Sequence, residues 1–149
     1  MNAPQWAHDL VWEVLADEGR GVDAERVTLQ WRRSRPTAWR GRSKGTSGRC
    51  FGSLLTPDAP VRIVITAGTE RKDQRLTLLH ELAHALTAPE IHHGSAFWIL
   101  AFALFDRYGV PPRYALTRSI GYRDSKATAA RKRALQRQAR GLVREGGAR

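Results

Sequence analysis

Four of the five histidines in this 149-residue chain fall between positions 80 and 93. His80 and His84 are four apart, so on a helix their imidazoles lie one above the other on a single face. Two such rings can reach one Zn²⁺ at about 2.0–2.1 Å. Glu81 follows the first of them and is placed to take a proton from a water held at that ion. This is the division of labour of HExxH, two ligands and one general base. A purely structural metal site has no need of that carboxylate. Zinc requires a third ligand, and Glu90, His92 and His93 are the candidates. All three lie past Pro89, where a helix has ended and the chain can fold back. His93 precedes Gly94 and the start of the next helical pattern, which would hold it rigidly, and His92 could serve in its place. Cys50 could instead close a silent four-ligand site, although a lone cysteine more often packs as a small apolar residue.

The elements that must carry these residues can be read from periodicity. Trp6, Leu10, Val11, Val14 and Leu15 recur at helical spacing between about Pro4 and Glu18. Val27, Leu29 and Trp31 alternate with Thr28, Gln30 and Arg32, as in a half-buried strand. Residues 34–48 read as a loop, a short strand is expected around Arg49–Leu54, and Val61–Gly68 forms a strand. Leu76, Leu79, Leu82, Ala83 and Leu86 then mark a helix with Asp73 as its N-cap and Pro89 beyond its end. A second, nearly all-apolar helix runs from about Ser95 to Tyr108, closed by Gly109. Trp6, Trp12, Trp31 and Trp98 belong to apolar patterns and are expected in the core, whereas Trp39 lies among arginines. The expectation is an α+β domain over residues 1–122 with a small, mostly antiparallel sheet, followed by a basic tail at 123–149.

With these elements in place, "HELAH", an eight-residue spacer and His93-Gly94 with Phe97 three further on resemble the SprT/Spartan group of small zinc metallopeptidases. The resemblance covers residues 61 to about 109. It implies a minimal zincin-like core and endopeptidase activity, with Zn²⁺ on His80, His84 and His93 and Glu81 as general base. It also implies substrates that are proteins attached to DNA. The zinc-ribbon cysteines of many such proteins have no counterpart here, since Cys50 is the single cysteine. The chain therefore looks like the minimal core that phages and mobile elements often encode. An oxyanion donor would come from Arg113 or Tyr114, just after the second helix. ImmA/IrrE-like proteases, which cleave a repressor, share HExxH but not the His-Gly-x-x-Phe continuation. A nucleic-acid-binding module with a structural metal is the remaining reading.

The net charge of +11 is unevenly distributed. Residues 31–49 hold seven basic residues and no acidic one, and residues 123–149 hold nine basic and two acidic. Arginine outnumbers lysine 21 to 4, which composition bias can explain, but bias does not remove the acids from 31–49. Both blocks suit phosphate neutralisation, and DNA is the expected partner of each. The longest apolar run, residues 96–105, is too short to span a bilayer. The N-terminus has neither the basic flank nor the apolar run of a signal peptide. A cytoplasmic, monomeric protein is expected.

Overall fold

The computed structural model describes residues 2–32, 48–66, 70–120 and 124–147. Most of the 34–48 loop, Trp39 and Gly68 fall outside them. The chain divides into two compact units, 1–90 and 91–149.

In the first unit α1 (Gln5–Asp17) leads through a 3₁₀ turn, Gly21–Arg26, into β1 (Val27–Arg32). β2 (Gly48–Phe51), β3 (Val61–Thr66) and α2 (Arg71–Ala85) follow. The sheet order is β1-β3-β2, with β1 parallel and β2 antiparallel to β3. The expected α+β class is observed, but the sheet is mixed rather than mostly antiparallel. β3 lies between the two earlier strands and runs parallel to one and antiparallel to the other. Val61, Ile63 and Ile65 are fully buried on the face that also carries Trp31. Trp6 of α1 meets Trp31 edge-on, with ring centroids 6.0 Å apart. Trp12 departs from expectation: it is half exposed, because Leu10, Val11, Val14 and Leu15 already turn the apolar side of α1 inward.

Two devices fasten β2 and its following loop to α2. At Gly48 an added Cβ would stand 2.6 Å from Thr77 Cγ2 and 3.1 Å from Val64 O, so only a bare α-carbon lets strand and helix approach this closely. Further on, Leu54 N–H donates to Ala85 O at 2.8 Å, satisfying one of the carbonyls left open at the helix C-terminus. The same loop is tied from below by Arg20 and Arg26, which both donate to Leu54 O and both pair with Asp23 at 2.8 Å. These guanidiniums hold the Asp23 carboxyl below the usual carboxylate range. α2 begins at Arg71 with Glu70 as N-cap, so Asp73 lies in its first turn rather than capping it.

The second unit contains α3 (Ser95–Arg107), α4 (Pro112–Ser119) and α5 (Lys126–Gly147). Gly109 takes a left-handed φ of 81° after α3, as its position at the helix end requires. The segment read as a tail is helix α5, and it packs chiefly on α3. It buries Ala129, Lys132, Leu135 and Ala139, spaced three and four apart. Small alanines let the two helices approach, and Leu142, three positions past Ala139, is half exposed. Lys132 is buried with its charge answered: Nζ donates to Asp124 at 2.7 Å and to Ser119 O at 2.8 Å. Among the described residues no helix is long and apolar enough to cross a membrane.

Gly48→Ala should lower unfolding stability by about 1–3 kcal/mol, the usual range for overpacking a close contact. Urea denaturation of the two proteins measures this directly, and equal midpoints would mean that β2 does not press on α2.

Candidate metal centre

α2 positions the first two candidate ligands through its own geometry. His80 and His84 stand one turn apart with ring centroids 5.0 Å from each other and planes at 70°. The flanking Leu78, Leu79, Leu82, Ala83 and Ala85 are fully buried, which fixes the rotation of the helix and leaves both histidines half-buried. After α2 the chain turns sharply. Thr87 Oγ1 donates back to Ala83 O at 2.9 Å, and a short 3₁₀ turn spans Pro89–Ile91. His92 then takes a left-handed φ of 51°. Gly94 N–H donates to Ile91 O at 2.9 Å, and a Cβ at Gly94 would crowd that same oxygen at 3.0 Å. This compact reversal brings His93 back toward the helix.

One nitrogen from each of His80, His84 and His93 lies within 4.8 Å of the others, close enough for all three to bind one metal ion. His93, not His92 or Glu90, is therefore the third member. Cys50 is not part of this cluster. Arg113 and Tyr114 lie on α4, where Arg118 sits over the Tyr114 ring at 5.8 Å. His93 stacks on Trp98 with centroids 5.7 Å apart at 26°, and Phe97 meets it edge-on at 4.9 Å. Desolvation by this packing, and then the charges of Lys132 and His92, hold its imidazole below the ordinary histidine pKa. A neutral imidazole is the form that ligates. Three imidazoles without a carboxylate form a borderline-soft donor set, which fits a late first-row dication better than Ca²⁺ or Mg²⁺.

Glu81 is the feature of the site that sequence alone described least well. It is 4% exposed, and its carboxylate accepts the backbone N–H of Cys50 on β2. Burial pushes its pKa up to about 8, against the opposing pull of that N–H and of Arg49. The Cys50 thiol, half-buried, is pushed up to about 12 by desolvation and then by the Glu81 charge, and points its Sγ at Gly52 O, 3.6 Å away. Cys50 thus serves the site through its main chain. Nothing in the sequence marked a backbone N–H as a partner; only the pairing of an edge strand beside the helix supplies one.

Comparison with known proteins gives no family model, no curated protein and no solved structure that matches this chain.

Two outcomes follow. His93→Ala should lose stoichiometric metal, whereas His92→Gly should keep it and relieve a left-handed backbone position; metal content after gel filtration distinguishes them. In the metal-free protein Glu81 keeps its proton up to about pH 8 while folded, yet loses it near pH 4.5 when unfolded. The unfolded state then binds fewer protons, so stability falls as pH rises through that window. The melting temperature of Glu81→Gln relative to wild type should accordingly climb between pH 5 and pH 8. A flat difference would show that Glu81 is not desolvated.

Proposed function

We propose that this protein is a zinc-dependent endopeptidase of SprT/Spartan type acting on proteins associated with DNA. The observation that carries the reading is the convergence of three imidazole nitrogens within 4.8 Å, two of them on the helix that also carries the buried carboxylate of Glu81. A structural site would satisfy itself with a fourth protein ligand and would not keep a carboxylate desolvated at this expense. His80, His84 and His93 would hold Zn²⁺, which supplies polarisation of a carbonyl and acidification of water. Glu81 has the character of a general base: its elevated pKa lies near neutrality, where proton transfer in both directions is efficient. It would accept the proton from water and return it to the leaving amine, while Cys50 N–H keeps the carboxylate oriented between the two events. A dication on the neighbouring histidines favours its ionised form. β2, against which Glu81 rests, lies at the edge of the sheet. Extended peptides add to such edges through main-chain hydrogen bonds, which suits a protease of low side-chain selectivity.

The charge of α5 supports the second half of the proposal. Arg131 is tied to Ser95, Arg140 to Asp106 and Lys132 is buried, but Arg133, Arg137 and Arg144 face solvent. Such a row neutralises phosphates, and tethering to DNA raises the effective concentration of proteins on the same strand.

The test is cleavage of a DNA-bound protein by the zinc-loaded chain, with and without DNA. Glu81→Gln should retain zinc and lose about 10²–10⁴-fold in turnover, while His84→Ala should lose both. Changing Arg133, Arg137 and Arg144 to Gln should flatten the slope of log affinity against log salt by up to about 3. Undiminished cleavage by Glu81→Gln would end the protease reading, and an unchanged salt slope would remove α5 from DNA contact.

A further inference from the structure

His80 and His84 take their places from α2, but His93 lies on a turn and is exposed, so its imidazole is oriented by the surface it rests on. That surface is the Trp98 indole, stacked at 5.7 Å and 26°, with Phe97 edge-on at 4.9 Å. Trp98 is itself buried and meets Phe97 at 5.1 Å and Phe102 at 5.5 Å. Ring pairs are favourable over a broad range of offsets, whereas a cation draws a ring face toward one point. Here the cation is Lys132 of α5, whose Nζ lies 4.6 Å over the Trp98 ring. Lys132 is buried, and its ammonium is pinned by Asp124 Oδ2 at 2.7 Å and Ser119 O at 2.8 Å. The neighbouring Arg131 donates to Ser95 Oγ at 2.6 Å. Two consecutive residues of α5 thus reach the first turn of α3, directly after the histidine.

We infer that Lys132 is a positioning residue of the metal centre: held by Asp124 and the Ser119 carbonyl, it fixes the Trp98 indole, and the indole fixes the His93 imidazole in the orientation that binds the ion. The inference deepens the function proposed above and rests on its metal centre. Packing gives no account of a charge at this place. Apolar side chains of similar volume often match or surpass a buried ion pair in stability, so α5 would pack on α3 as well with methionine at 132. Charge alone gives none either, because an ammonium one ring away from His93 opposes a dication bound there. What Lys132 supplies is a fixed point for the indole. Groups that orient a metal ligand from behind govern affinity without touching the ion.

The experiment is a zinc titration of the full-length protein against a competing chelator, with the visible absorption of the Co²⁺-loaded protein as a second readout. Lys132→Met, which keeps the length of the side chain, should weaken zinc binding about ten- to a hundredfold, the usual cost of losing a group that orients a ligand. Removing a nearby cation would by itself tighten the site, so the sign of the change separates positioning from repulsion. Lys132→Arg keeps a cation at the ring and should stay close to wild type. Lys132→Met combined with Asp124→Asn removes both charges of the pair and leaves the net charge unchanged, and the weakening should persist. The Co²⁺ bands should shift in both Met variants, because they report coordination geometry. Thermal melts of the metal-free proteins separate loss of affinity from loss of fold, and the double variant carries the test if Lys132→Met alone unfolds. Zinc binding as tight as wild type or tighter in the Met variants, or Lys132→Arg as weak as Lys132→Met, would overturn the inference. A wild type that binds no zinc would overturn it together with the metal centre. Zinc bound without cleavage of any protein would refute the peptidase reading alone.

Discussion

A buried carboxylate answered by a single backbone N–H is the constraint around which the first unit is arranged. Desolvating an ionisable group without a counter-charge costs several kcal/mol, and Glu81 meets that cost with one hydrogen bond from Cys50 and the more distant charge of Arg49. A glutamine or a leucine in the same place would leave a more stable helix–strand contact. The surrounding structure is nevertheless built to hold β2 against α2 at this point. Gly48 removes a Cβ that would collide with Thr77 of the helix, and Leu54 N–H secures the helix end at Ala85 O, one residue past His84. Arg20 and Arg26 in turn anchor the loop that carries Leu54. Local energetics and global arrangement disagree at Glu81, and such disagreements concentrate where a protein does chemistry.

The ligand pair was legible from spacing alone because a helix converts a separation of four residues into a fixed spatial relation. The strands β1 and β3 were legible for the same reason, since alternation and continuous apolar runs are properties of the chain itself. The order β1-β3-β2 was not, because three short strands fit several pairings and the choice depends on which edge α2 can cover. The identity of the third ligand belongs to an intermediate class. Position placed Glu90, His92 and His93 alike beyond Pro89, and only the left-handed turn at His92 and the tight contact of Gly94 with Ile91 O decide which side chain returns. The partnership of Glu81 with Cys50 was not legible at all, for a main-chain donor leaves no trace in residue type.

The C-terminal segment shows how composition can mislead about packing. Nine basic residues between 123 and 149 suggest a solvated tail, and on a charge count nothing competes with that reading. Packing follows the positions of the small residues instead. Ala129 and Ala139 are buried on the helix that packs on α3, and Lys132 is buried between them in sequence because Asp124 and the Ser119 carbonyl neutralise and bind its ammonium group. Its charge also rests 4.6 Å from the Trp98 ring, the surface on which His93 stacks. A segment that looks like an appendage by charge is therefore part of the support of a ligand-bearing turn.

The division of the histidines between a helix and a turn has an energetic consequence. His80 and His84 are ordered by folding of α2 at no cost beyond that of the helix, because their rotamers are limited by buried neighbours. His93 is ordered only when residues 86–93 adopt one conformation, which includes a left-handed non-glycine residue and a short 3₁₀ turn. Each fixed residue costs about 1–2 kcal/mol of backbone entropy, against which the Thr87 and Gly94 hydrogen bonds return roughly 1 kcal/mol apiece. The deficit is of the size that ligation can offset, since metal binding and ordering of the ligands are one equilibrium. With two histidines held in advance and the third on such a turn, the stretch between α2 and α3 would be the part of the chain whose order depends most strongly on a bound ion.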